Sequence, residues 1–205
     1  MSEYPLPYQS TDLTGQVAFV TGTTAGLGKR FAQVLAACGA KVIVTGRRVD
    51  RLEALSAEIN ASGGQAAPVA VDMTDRSSIR NALKAAEDLF GTVTILVNNA
   101  GIPDAQRAVK MDDELMDAVF ETNLIGPWVL SVEVAKRLIA AERPGRIVNI
   151  ASIAAFNTTA QSAATLYSTT KSAVVRMTES HAVEWSRYPI NVNCIAPGAF
   201  HRDMM

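Results

Sequence analysis

Two histidines and two cysteines are all that this chain of 205 residues offers for triads, zinc centres or disulfides. His181 and His201 are too few for a His-based triad or a zinc site, which excludes both as the working chemistry. Cys38 and Cys194 stand in apolar surroundings, outside any CxxC or metal-ligand spacing. They are read as reduced core thiols, which predicts no metal and a cytoplasmic, cytosolic protein. Long hydrophobic runs are missing too: the longest are strand-sized, so no segment is expected to span a membrane. Residues 1–16 have no basic n-region and no apolar h-region, so they are read as an N-terminal extension and not as a secretory signal. Neither sign of charge dominates. With 19 Lys and Arg against 20 Asp and Glu and no basic tract, no nucleic acid and no anionic membrane surface is expected as a partner.

What the chain does have is apolar content, 48%, enough to bury the core of one domain over residues 17–205. Short apolar runs at Val17–Thr21, Val42–Thr45, Pro68–Val71, Ile95–Asn98, Ile147–Ile150 and Ile190–Ala196 read as strands. Runs apolar on both faces suit a parallel sheet covered on both sides. Between them lie helical patterns at Leu27–Cys38, Arg51–Ala61, Ser77–Phe90, Asp112–Phe120, Asn123–Ala141 and Thr165–Trp185. Gly39, Gly63, Gly64, Gly91 and Gly145 are read as helix exits. The alternation predicts an α/β fold of Rossmann type, a doubly wound parallel sheet. In such a sheet ligands bind at the carboxyl ends of the strands, where the strand order reverses.

The most informative stretch is Tyr167-Ser168-Thr169-Thr170-Lys171, fifteen residues after Ser152. A spacing of four puts Tyr167 and Lys171 one turn apart on one helix face. An ammonium held near a phenol stabilises the phenolate and makes the pair a proton donor and acceptor near neutral pH. Taken alone, the pair also fits an amphipathic Tyr beside a snorkelling Lys. Directly after the first strand runs Thr21-Gly22-Thr23-Thr24-Ala25-Gly26-Leu27-Gly28, a G-x-x-x-G-x-G variant of the dinucleotide fingerprint. Glycines there let backbone approach a pyrophosphate, and the following helix offers its positive end. The second strand ends in Thr45-Gly46-Arg47-Arg48, where an NAD site usually places an acidic residue. A guanidinium suits a ribose 2′-phosphate, so NADP(H) is favoured over NAD(H), with Arg47 as the phosphate ligand. The other arginine of the pair reads as a solvated residue opening the next helix. Asp72, followed by Met73, is placed to accept from an adenine amino group, or else to form a turn, while Asp75 is the better helix cap. Asn98-Asn99-Ala100-Gly101 closes the fourth strand, and Asn123 is read as the start of a long apolar helix.

Together the Gly-rich turn, Asn98-Asn99-Ala100-Gly101, Asn123, Ser152, Tyr167-x-x-x-Lys171 and Pro197-Gly198 occur in the order and register of the short-chain dehydrogenase/reductase family, which this sequence resembles over essentially its whole length. The resemblance implies that Tyr167 is the general acid/base and that Lys171 holds the nicotinamide ribose. It implies that Ser152 orients the substrate oxygen, that Asn123 positions a water leading from Lys171 to solvent, and that Pro197 and Gly198 line the nicotinamide side. Gly22, Thr24, Gly26, Leu27, Gly28, Arg47, Asp72, Met73, Asn99, Ala100 and Gly101 complete the implied cofactor site. Two departures stand out. Arg202 occupies the place where the family usually has a Thr, and the sequence ends nine residues after Ala196, before the family's substrate loop, last helix and edge strand. The segment from Ser152 to Tyr167 is slightly long, with Ala154, Phe156 and Gln161 expected at the pocket. The function expected is NADP(H)-dependent interconversion of a ketone and a secondary alcohol, acting on a small molecule; the alternative is a cofactor-binding scaffold, or a truncated protein of this resemblance, without turnover. The long helices at Asn123–Ala141 and Thr165–Trp185, apolar over more than one face, predict a homo-dimer or homo-tetramer.

Overall fold

The computed structural model describes residues 10–104, 106–157 and 164–198. Gln161 and Arg202, singled out above, lie outside the described residues, as do residues 1–9 of the N-terminal extension.

Six strands alternate with helices: β1 (Val17–Val20), α1 (Gly26–Ala37), β2 (Lys41–Gly46), α2 (Val49–Ala61), β3 (Gln65–Ala70), α3 (Arg76–Phe90), β4 (Ile95–Asn98), α4 (Asp113–Phe120), α5 (Gly126–Ala140), β5 (Gly145–Ile150), α6 (Thr165–Glu184) and β6 (Ile190–Ile195). The strands form one sheet in the order β3-β2-β1-β4-β5-β6, and every pairing is parallel. The fold is therefore the doubly wound, Rossmann-type sheet that the alternation requires.

Strand periodicity splits the core into two layers. Ala18, Val20, Val42, Val44 and Val97 pack with Ala32, Ala36, Leu52, Leu55 and Ile59 of α1 and α2. The intervening Phe19, Ile43, Leu96 and Ile147 pack with Ile79 and Leu83 of α3 and Leu130, Val134 and Leu138 of α5 on the opposite face. The strand order turns back between β1 and β4, so their carboxyl ends diverge to opposite helix layers and leave a crevice.

The helix ends follow local chemistry, with two exceptions. Asp75 caps α3 by accepting from the Ser77 amide at 2.7 Å, the role expected of it. Gly39, Gly63 and Gly91 adopt positive φ just beyond α1, α2 and α3, as helix exits should. Gly145 does not. It is the first residue of β5, and α5 turns back through Glu142 at φ 51°. A Cβ at Gly145 would overlap Leu138, so this glycine serves close helix-to-strand packing and not the helix exit.

The second exception concerns Asn123. It does not start a helix: the chain is helical without a break from α4 through a π-helical segment, Glu121–Ile125, into α5. Gly126 donates to the Glu121 carbonyl, five residues back. Pro127 has no N–H for the Asn123 carbonyl, which is why the ladder changes step there. The thiols also differ from expectation. Cys38 and Cys194 are free but half-buried, not fully enclosed in the core. No helix among the described residues is long and apolar enough to cross a membrane.

Candidate active site

The crevice above β1 and β4 opens into a cavity of about 790 Å³. Gly22, Thr24, Gly26, Leu27, Arg47, Asp72, Met73, Asn99, Ala100, Gly101, Ser152, Tyr167, Lys171, Pro197 and Gly198 all line it. Of the residues implied for cofactor binding and catalysis only Gly28 and Asn123 stand behind the wall, and both shape it.

The glycine turn is held by side chains from a strand that lies far away in sequence. Thr21, fully buried at the end of β1, accepts from the Asn99 and Ala100 amides, each at 2.9 Å. The Asn99 carboxamide returns the tie, donating to the carbonyls of Thr21 (2.9 Å) and Gly22 (3.2 Å). Asn99 thus joins two strand ends. The fit is tight: a Cβ at Gly22 would lie 2.9 Å from the Ala100 Cα, and one at Gly28 only 2.2 Å from the Gly22 carbonyl oxygen. The first turn of α1 has no side-chain cap, so its N–H groups face the crevice available to an anion. A backbone cradle with bare glycines and a helix N-terminus fits a dinucleotide pyrophosphate.

The far end of the crevice carries the arginines. Both Arg47 and Arg48 line it, and the Arg48 guanidinium donates to the Thr24 hydroxyl at 2.5 Å. Sequence reading chose Arg47 and treated its neighbour as a solvated residue. The structure ties Arg48 to the glycine turn, a relation that depends on β1 and β2 being adjacent and has no local sequence signal. Asp72 forms a turn through Oδ1, which accepts from the Thr74 amide and hydroxyl, each at 2.9 Å.

At the opposite end, α6 brings Tyr167 and Lys171 together. Lys171 is 4% exposed; its ammonium donates to the Ile150 carbonyl at 2.7 Å and lies 5.6 Å from the centre of the Tyr167 ring. An isolated buried ammonium would be costly, so its place beside a carbonyl and a phenol is the specific feature of this site. Ser152 leaves β5 and accepts from the Ala154 amide at 3.2 Å, which leaves its own O–H to donate into the cavity. Its segment is fixed on both sides: Ile153 donates to the Pro197 carbonyl at 2.9 Å, and the Ser172 hydroxyl of α6 donates to the Ala155 carbonyl at 2.8 Å. Asn123, 1% exposed, uses its carboxamide on the Ile102 peptide, accepting from N at 2.8 Å and donating to O at 2.9 Å. Its amide also reaches the Thr170 hydroxyl of α6 at 3.3 Å. Ala154 and Phe156, expected at the pocket, are not among the residues lining it; Phe156 is exposed. No cluster of metal-ligating side chains occurs among the described residues.

Comparison with known proteins agrees with this geometry. Residues 16–205 match the short chain dehydrogenase family. The chain is 39% identical over 186 residues to a galactitol 2-dehydrogenase of Agrobacterium fabrum, covering 91% of this chain and 71% of that one. It is 36% identical to a 3-oxoacyl-[acyl-carrier-protein] reductase of Synechocystis, covering 95% and 78% respectively. Among solved structures, it is similar to a protein of Beutenbergia cavernae, a candidate NAD(P)-dependent gluconate 5-dehydrogenase crystallised with NADP at low occupancy. The TM-score is 0.87 at 33% identity, over 95% of this chain and 76% of that chain. Fold, crevice and these likenesses agree: the chain belongs to the short chain dehydrogenase family, and it is an oxidoreductase acting on CH–OH groups.

Proposed function

We propose that this protein is an NADP(H)-dependent oxidoreductase that interconverts a ketone and a secondary alcohol. The observation that carries the reading is the buried Lys171 ammonium beside the Tyr167 ring, in one cavity with Ser152 and the glycine cradle. The cradle of Gly22, Thr24, Gly26, Leu27 and Gly28, with Asn99, Ala100 and Gly101, would hold the pyrophosphate and its sugars. Asp72 and Met73 would flank the adenine, and Pro197 and Gly198 the nicotinamide. When bound, the nicotinamide supplies or accepts the hydride at the substrate carbon.

The protein handles the proton. In reduction, Ser152 donates a hydrogen bond to the carbonyl oxygen and fixes it next to the phenol, and Tyr167 gives that oxygen its proton as the alcohol forms. In oxidation, Tyr167 takes the proton back. Lys171 holds the cofactor ribose and its charge faces the phenol. Asn123 contributes through backbone: its side chain is committed to Ile102, whereas its carbonyl receives no N–H from Pro127. That carbonyl is the place for the water that links Lys171 to solvent. Positioning of this kind, with a matched proton donor, supplies the rate enhancement.

The Arg47–Arg48 pair next to Gly46 supports NADP(H) over NAD(H). Calorimetric titration is expected to show NADPH binding at least tenfold tighter than NADH, a gap of about 1.4 kcal/mol. Arg47→Ala and Arg48→Ala should each weaken NADPH about tenfold and leave NADH within twofold. Equal affinity for the two cofactors would refute the preference. NADPH binding without turnover across a panel of polyols, keto acids and 3-oxoacyl thioesters would instead favour the scaffold. Polyols rank first in that panel, because the galactitol dehydrogenase is the more similar relative and no basic tract suits an acidic carrier protein.

Self-association belongs to the same proposal. Trp128 of α5 is 47% exposed and Val183 of α6 is 76% exposed, an apolar surface that a homo-dimer or homo-tetramer would cover. Light scattering should give a mass of at least two chains; a monodisperse monomer would contradict it. The cytoplasmic location is proposed with it, on the two free thiols.

A further inference from the structure

We propose that Asp104 is a positioning residue for Tyr167, clamping the first turn of α6 to the loop that leaves β4. The inference rests on the function proposed above, since it concerns how the proton donor is held.

Helix α6 starts without a cap of its own: Ala164 precedes it and provides no side-chain acceptor. The acceptor comes from 62 residues earlier. Asp104 Oδ2 takes the hydrogen bond of the Leu166 amide at 2.9 Å, in the first turn of α6 and one residue before Tyr167. Asp104 is 4% exposed, and its second oxygen is buried with no hydrogen-bond partner among the described residues. A buried carboxyl group with one oxygen unpartnered is costly, and the positive end of α6 lowers that cost. The carboxylate is therefore committed to this helix terminus.

Its own backbone is equally fixed. Two residues before Asp104, the Ile102 peptide is gripped on both sides by the Asn123 carboxamide. Three residues before it, Gly101 passes so close that a Cβ there would lie 3.3 Å from the Asn123 Oδ1 and 3.5 Å from the Lys171 Nζ. The loop from Asn99 to Asp104 therefore touches the glycine turn at its start and the Tyr167 helix at its end. Asn123 and Thr170 tie α6 one turn further along, and Ser172 ties it to the Ser152 segment. Without Asp104 those ties hold the Lys171 turn, whereas the turn bearing Tyr167 loses its only anchor from another part of the chain among the described hydrogen bonds of its amides. The expected consequence is a mispositioned phenol with an intact cofactor cradle.

The test compares Asp104→Ala with Asp104→Asn, whose side-chain oxygen can still accept from the Leu166 amide. Hydrogen exchange of the peptide spanning residues 165–170 should rise at least tenfold in Asp104→Ala and stay within threefold of the parent in Asp104→Asn. With NADPH and the best substrate of the panel, kcat should fall about tenfold or more in Asp104→Ala, with the NADPH Kd within twofold, and recover to within threefold in Asp104→Asn. Unchanged exchange in Asp104→Ala overturns the clamp. So does equal damage in the two variants, because it would assign the effect to charge and not to the cap. If the parent turns over no substrate, the proposed function fails, while the exchange data still decide the clamp.

Discussion

Replacing Tyr167 with Phe is expected to lower kcat by about 1000-fold and to leave the NADPH Kd within twofold. The size follows from the loss of a positioned proton donor, which contributes on the order of 100- to 10,000-fold. The selectivity follows from the packing. Phe keeps the ring that lies 5.6 Å from the Lys171 ammonium, and Lys171 keeps its bond to the Ile150 carbonyl. In the proposed mechanism Ser152 would still donate to the substrate oxygen, so residual activity should remain above background. Steady-state rates with NADPH and the best ketone, paired with calorimetry, measure both halves. A fully active Phe variant would remove Tyr167 from the chemistry.

The second large effect is expected at Gly28. Its added Cβ would sit 2.2 Å from the Gly22 carbonyl oxygen, 2.4 Å from Asn99 Nδ2 and 2.8 Å from the Gly22 carbonyl carbon. Two of those three atoms are backbone of the glycine turn, and the third is the side chain that holds it. Nothing flexible can give way, so Gly28→Ala must displace the cradle itself. We expect NADPH affinity to drop about 100-fold, close to 2.7 kcal/mol, with a stability loss of about 1–3 kcal/mol from overpacking. Gly26→Ala is the informative comparison. Gly26 has φ 55° but open space around its Cβ position, so its cost is conformational, about 1–2 kcal/mol, without collision. If Gly28→Ala binds NADPH as tightly as Gly26→Ala, close packing is not what shapes the cradle.

These two residues also mark how far the sequence could be read. Six strands and their helical partners were visible because a parallel sheet covered on both sides demands apolar runs of strand length. β4 begins and ends where its apolar run does. The Tyr167–Lys171 pair was visible because helical spacing is local. What escaped reading depends on neighbours in space. Gly145 looked like a helix exit, and only the position of Leu138 reveals why a side chain is excluded there. Asn123 looked like a helix start because it opens a long apolar helical pattern, yet the chain runs through it from α4 into α5 by a π-helical step. The tie of Arg48 to Thr24 and the hold of Asp104 on α6 carried no signal at all. The partner of the first lies 24 residues away and that of the second 62, across strand and helix pairings that no window of sequence contains.

The order of the strands has a consequence for how the protein comes into being. β1, β2 and β3 are contiguous in the chain and form one flank of the sheet, from the glycine turn to Asp72. The residues proposed to handle the substrate oxygen come later, from Ser152 onward. At a synthesis rate of about 5–20 residues per second, the nucleotide flank leaves the ribosome several seconds before α6 does. Asn99 arrives between the two and closes the glycine turn from the other side. A newborn chain thus completes the proposed cradle before the proposed proton donor, and a dinucleotide that binds there would be in a position to act first as a template for folding.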